Sequence, residues 1–127
     1  MKVLVSDNLG EAGIKMFQDE EGIDVDVKTG LSPEELKGII PDYDGLVIRS
    51  ATKVTEDLLN AATKLKVVGR AGIGLDNVDI PAATKRGIVV MNTPGGNVIT
   101  TAEHSIGMLL ALTRNVPEGK VIRLSSR

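Results

Sequence analysis

Five short runs of aliphatic, mostly β-branched residues recur along this chain at residues 2–6, 23–27, 45–48, 66–69 and 88–91, with centres roughly 21 residues apart. Glycine, proline or polar residues bound each run, so each reads as a strand. Every interval holds a stretch able to form a helix, and a chain that alternates strand and helix in this way builds a parallel sheet flanked by helices. A leucine-rich repeat has a similar period, but its Leu-x-x-Leu-x-Leu pattern with a following Asn is absent.

Five parallel strands joined by right-handed helical crossovers make an open, doubly wound α/β sheet, and the five-stranded variant is flavodoxin-like, with the expected order 2-1-3-4-5. Residues 1–97 would complete that domain. Ser32, Pro33 and Glu35 put a hydroxyl at N-cap, proline at N1 and glutamate at N3, a capping box for a helix through residues 36–40. Thr100 and Glu103 repeat the spacing ahead of a last helix expected over residues 100–114. Weaker signals place helices at residues 10–17, at 55–62 with Thr55 as cap, and at 78–85 with Asp76 or Asn77 as cap. In the last helix Ile106, Gly107, Met108, Leu109, Leu110, Ala111 and Leu112 leave no polar side, so it needs burial on two faces. That run is too short for a bilayer, which takes ~20 residues. Residues 98–115 are therefore expected to form a linking or interface helix, packed against a second domain, another subunit or both, and residues 116–127 a frayed tail.

At 127 residues the chain suffices for one ordinary domain. Its 15 basic and 17 acidic side chains leave −2, with neither sign concentrated, which argues against a nucleic-acid or membrane surface held by charge. Phe17 and Tyr43 are the only aromatics, so the core must be aliphatic and stacking platforms for bases are excluded. The lack of cysteine removes disulfides, thiolate metal sites, iron–sulfur clusters and thiol nucleophiles. Met1 leads straight into a strand without a signal-type apolar stretch, and a cytoplasmic location is expected.

An open parallel sheet binds ligands beyond the carboxyl ends of its strands. Four loops lie there: Asp7-Asn8, Arg49-Ser50-Ala51-Thr52, Arg70-Ala71-Gly72-Ile73-Gly74, and residues 92–97. The third holds Gly-x-Gly, but Asn77 stands where a dinucleotide fingerprint needs its last glycine. It reads either as a tight turn or as a concave nest of amides for an anion. Arg49 and Arg70, each ending a strand on this rim, favour a small, multiply anionic molecule, because guanidinium holds carboxylate or phosphate bidentately. His104 lies beside Glu103, but adjacent helical positions do not face one another, and no catalytic role falls to it. Asp76, Asn77 and Asp79 lack a calcium-loop spacing, and no metal site is expected.

Three strings carry a family resemblance. Val47-Ile48-Arg49-Ser50-Ala51-Thr52-Lys53-Val54, then Val67-Val68-Gly69-Arg70-Ala71-Gly72-Ile73-Gly74-Leu75-Asp76-Asn77-Val78-Asp79, then Val90-Met91-Asn92-Thr93-Pro94-Gly95-Gly96-Asn97 resemble the D-isomer-specific 2-hydroxyacid dehydrogenases, a likeness that runs through residues 1–117. Beyond Pro117 the chain departs from the family pattern. The resemblance implies a substrate-binding domain followed by the first helix of a Rossmann domain. It implies that Arg70, Ala71, Gly72, Ile73 and Gly74 hold the substrate carboxylate through backbone amides, that Arg49 with Ser50 faces a phosphate, and that Asn97 lies in the cleft between domains. The reaction it implies is reversible oxidation of 3-phosphoglycerate by NAD on the way to serine, hydride passing to nicotinamide while a histidine removes the hydroxyl proton. The family's dinucleotide fingerprint, ribose-binding acid, substrate-polarising arginine and Glu–His pair come later than Pro117. This chain is accordingly expected to supply no catalytic residue, to bind no NAD alone and to be inactive alone.

A phospho-receiver domain shares the fold but needs an acidic pair after the first strand, an aspartate ending the third and a lysine ending the fifth. Asp7, Arg49 and Met91-Asn92 stand there instead. The alternative that survives is a non-catalytic binding or assembly module that associates through residues 100–114. The expected partners are a small anionic hydroxy acid such as 3-phosphoglycerate and further copies of the chain, as a homodimer or larger homo-oligomer, with no nucleic acid and no membrane.

Overall fold

The aliphatic runs lie side by side as β1 (Lys2–Val5), β2 (Asp24–Val27), β3 (Gly45–Ile48), β4 (Val67–Arg70) and β5 (Val89–Asn92). The computed structural model describes residues 1–96 and 98–114. All neighbouring strands are parallel and their order is β2-β1-β3-β4-β5, as the strand spacing predicts. Between and after them run α1 (Glu11–Gln18), α2 (Pro33–Ile39), α3 (Glu56–Ala61), α4 (Ile80–Lys85) and α5 (Val98–Arg114). A 3-10 turn over Ile40–Asp42 follows α2 and has no counterpart in the sequence reading.

Period-two pleating assigns the strand residues to faces. Leu4, Leu46, Ile48 and Val68 join Leu36, Leu58, Leu59, Ala82 and Ala83 from α2, α3 and α4 in one aliphatic cluster. Val3 and Val5 are equally buried but stand outside that cluster, because the pleat turns them to the opposite face. There α1 packs against β2 at one edge, while at the other edge Val89 and Met91 of β5 remain exposed. Tyr43 is the one aromatic in the core; its hydroxyl donates to Asp26 Oδ2 at 2.6 Å, and burial together with that bond pushes it up to about 12.

The capping signals are honoured where the backbone ahead of the helix is extended. At α2 the Ser32 hydroxyl accepts from the Glu35 amide at 3.3 Å and the Glu35 carboxylate accepts from the Ser32 amide at 2.8 Å, with Pro33 in the first turn. Thr55 caps α3 by accepting from the Leu58 amide. Two expectations are corrected. The cap of α4 is Asp79, which accepts from the Ala82 amide at 3.0 Å, whereas Asn77 turns its amide elsewhere. Helix α5 starts at Val98, so Thr100 is already helical and cannot be an N-cap, which requires non-helical backbone.

The chain divides after Pro94 into two compact units. In α5, Ile106, Met108, Leu109, Leu110 and Leu112 are all 57% or more exposed. Among the described residues no helix is long and apolar enough to cross a membrane. The tail at residues 116–127 lies outside the described residues.

Candidate functional site

The carboxyl ends of β1, β3, β4 and β5 put their loops on one rim, and β3 and β4 are direct neighbours, with Ile48 paired to Arg70. Hydrogen bonds tie these loops to one another. Asp7, only 6% exposed, accepts the amides of Arg49 at 2.7 Å and of Ala51 and Thr52 at 3.1 Å, and also the Thr52 hydroxyl. A carboxylate cannot donate, so the Thr52 proton goes to Asp7 and the Ser6 hydroxyl, 2.9 Å from Thr52 Oγ1, is the donor there. Burial alone would raise the Asp7 carboxyl, but the bonds from Thr52, Arg49 and Ala51 outweigh it and hold it below the usual carboxylate range. The contribution of this latch to stability is complete above roughly pH 4 and is lost only as pH falls through the still lower folded value.

Asn77 holds the same loop by its other polar groups. Its Nδ2 donates to the carbonyls of Arg49 at 2.8 Å and Thr52 at 2.7 Å, which occupies both amide protons and fixes the orientation of the side chain. Its Oδ1 is buried with no hydrogen-bond partner among the described residues. Arg70 Nε adds a third bond, to the Arg49 carbonyl at 3.2 Å.

The loop at residues 70–74 is tied down from β5. Asn92 Nδ2 donates to the Ile73 carbonyl at 2.7 Å, and the Thr93 amide donates to the Gly72 carbonyl at 2.9 Å. The Ala71 amide returns to the Ile48 carbonyl at 2.8 Å. With the carbonyl ends latched, the amides of Ile73 and Gly74 make no hydrogen bond among the described residues. A Cβ at Gly72 would stand 2.6 Å from the far end of the Arg70 side chain, so the guanidinium lies directly against this loop.

The predicted residues thus fall into two adjoining groups. Arg49 and Ser50 are exposed at the end of β3, and Arg49 Nη1 donates to the Asn8 carbonyl at 3.0 Å. Arg70 ends β4 beside them, and Ala71, Gly72, Ile73 and Gly74 follow it. Asn97, expected in a cleft between domains, lies outside the described residues. Sequence reasoning missed Asp7, Asn77, Asn92 and Thr93 as the groups that shape these loops. The one sign the sequence offers for Asp7 is an acid standing two residues beyond the Val3-Leu4-Val5 run. A cleft of about 290 Å³ between α2 and α3 reaches Asp7 and Thr52, but neither Arg49 nor residues 70–74 line it.

The chain is similar to known proteins. Residues 3–118 match the family described as D-isomer specific 2-hydroxyacid dehydrogenase, catalytic domain. A D-3-phosphoglycerate dehydrogenase of Synechocystis sp. is 52% identical over 117 residues, 92% of this chain and 21% of that protein. The human D-3-phosphoglycerate dehydrogenase is 54% identical over 117 residues, again 92% of this chain and 22% of its own length. A crystal structure of NAD+-bound 3-phosphoglycerate dehydrogenase from Entamoeba histolytica superposes with a TM-score of 0.78 at 36% identity, covering 87% of this chain and 38% of that one. The chain spans about a fifth of the length of the curated relatives it matches.

Proposed function

The chain belongs to the D-isomer specific 2-hydroxyacid dehydrogenase family, and from that premise we propose that it is the substrate-binding part of an NAD-dependent enzyme that oxidises 3-phosphoglycerate to 3-phosphohydroxypyruvate, a step toward serine. One observation carries this reading. Two loops on adjacent strands offer an exposed arginine at Arg49 and, among the described residues, unengaged amides at Ile73 and Gly74, a match for a molecule with a phosphate at one end and a carboxylate at the other. The amides take the carboxylate, Arg49 with Ser50 takes the phosphate, and the hydroxyl-bearing carbon is held between. Asn97 is assigned to the same substrate on the resemblance alone.

NAD does not fit the glycine loop at residues 70–74. Its pyrophosphate needs a glycine turn that runs directly into a helix N-terminus. After Gly72 and Gly74 the side chain of Asn77 is engaged at Arg49 and Thr52, and α4 begins only at Ile80. The family resemblance assigns the groups that carry the hydride and the hydroxyl proton to later parts of such enzymes. Titration of the isotope-labelled chain with 3-phosphoglycerate should shift the amides of Ser50, Ile73 and Gly74, NAD should shift nothing, and no NADH should form. NADH production by the chain free of full-length enzyme, or phosphoglycerate shifts confined to other loops, would overturn the proposal.

We assign α5 to an interface between copies of the chain, as a homodimer or larger homo-oligomer. What supports this is the exposure of five large aliphatic side chains on one helix, each worth about 1.5 to 3 kcal/mol when covered. Light scattering over a dilution series should find an oligomer that Leu109→Glu dissociates. A monomer at high concentration, or an oligomer indifferent to the charge, would remove the assignment.

A further inference from the structure

Asp7 commits its whole carboxylate to one short loop. The amides of Arg49, Ala51 and Thr52 and the Thr52 hydroxyl all end on it, from 42 to 45 residues away in sequence. Asn77 and Arg70 take the loop's carbonyls at Arg49 and Thr52. Of the four amides in this loop only that of Ser50 makes no hydrogen bond among the described residues. Asp7 therefore decides which amide is left for a ligand and where the backbone that carries the Arg49 side chain stands. A fixed negative charge near an anion site opposes binding by Coulomb repulsion, so the field of Asp7 does not account for an acid at this place. The loop geometry it imposes does.

We propose that Asp7 is a positioning residue for the phosphate end of the substrate, acting through the backbone of Arg49, Ser50, Ala51 and Thr52. This rests on the substrate-binding reading above. In Asp7→Asn an oxygen at the Oδ2 place can still accept the three amides, but as a neutral acceptor, and an NH2 group replaces Oδ1, so the Thr52 hydroxyl must turn from donor to acceptor and the Thr52 amide faces an N–H where it had a second oxygen; every bond of the latch is weakened or reversed. Removal of a negative charge by itself would tighten an anion. Loosened phosphate binding in Asp7→Asn is thus the reverse of the electrostatic expectation and separates the two roles by sign.

The test uses the whole chain, with 3-phosphoglycerate and D-glycerate as probes followed by amide shifts, and hydrogen exchange in the free protein. Asp7→Asn should weaken 3-phosphoglycerate by about tenfold or more and leave D-glycerate within about twofold, with exchange quickened at Arg49, Ala51 and Thr52 while the strand amides stay protected. Thr52→Val, which removes the hydroxyl from the latch, should loosen 3-phosphoglycerate in the same direction, and Thr52→Ser should restore it. Unchanged or tighter 3-phosphoglycerate binding in Asp7→Asn overturns the proposal, as does an equal loss of both probes. If the wild-type chain binds neither probe, the substrate reading fails, and unaltered exchange at the three amides in Asp7→Asn would then also reject Asp7 as the holder of the loop.

Discussion

Leu46→Ala should cost about 3 kcal/mol of folding stability, within the 2 to 5 range for aliphatic truncation in a core. Leu46 is fully buried, sits on the central strand β3 and pairs with Leu4 on one side and Val68 on the other. These neighbours belong to the single cluster that unites the sheet with α2, α3 and α4, so the hole cannot be closed by movement of one element. Against a total of about 5 to 15 kcal/mol for a domain, this should lower the melting temperature by roughly 10 to 20 °C. Met16→Ala is the control: Met16 is 76% exposed on α1, and the change should stay within about 0.5 kcal/mol. Urea unfolding of the three proteins measures the contrast. Equal midpoints for the two variants would mean that position 46 is not in the core.

Arg49→Ala should have the largest effect on function. Its guanidinium is tethered through Nη1 to the Asn8 carbonyl, and the rest of its donors face outward at the end of β3. If it grips the phosphate through two charge-assisted bonds, their loss costs about 3 kcal/mol, or roughly 100-fold in kcat/KM for 3-phosphoglycerate. An unphosphorylated hydroxy acid should lose less than about threefold, since in the proposed binding mode the carboxylate end rests on the amides of Ile73 and Gly74. The assay is a fusion of this chain to the remaining portion of a full-length relative. Equal losses on both substrates would show that Arg49 serves the loops in general rather than the phosphate.

The relation between these two predictions follows from how the fold is built. The core that Leu46 anchors holds the strand ends in register, and the register brings Arg49 beside Arg70 and the glycine loop. Stability and site therefore share β3 but not residues. Side chains that point into the cluster can be tested by unfolding, and those at the strand's end by binding.

Much of this was legible in the chain itself. Strand positions, the β2-β1-β3-β4-β5 order and the caps at Ser32 and Thr55 follow from aliphatic runs, crossover rules and hydroxyls in the residue just ahead of a helix, all of which act over a few neighbouring residues. Arg49 and the glycine loop were visible as groups at strand ends. What only the tertiary structure decided is how short polar side chains were assigned. Asn77 and Asp79 compete for one cap, and locally either serves; Asn77 became a clamp because the carbonyls of Arg49 and Thr52, 28 and 25 residues away in sequence, lie within reach of its amide only once β3 and β4 have paired. Thr100 carries a cap signature yet lies inside α5, because a helix that already extends to Val98 has no use for a cap at that position. Asp7 gave no local sign of its partners, since all four of its donors come from another strand's end. Apolar patterning is periodic and so can be read along the chain, whereas a hydrogen bond needs a particular atom about 3 Å away, and which atom that is depends on strand register in space.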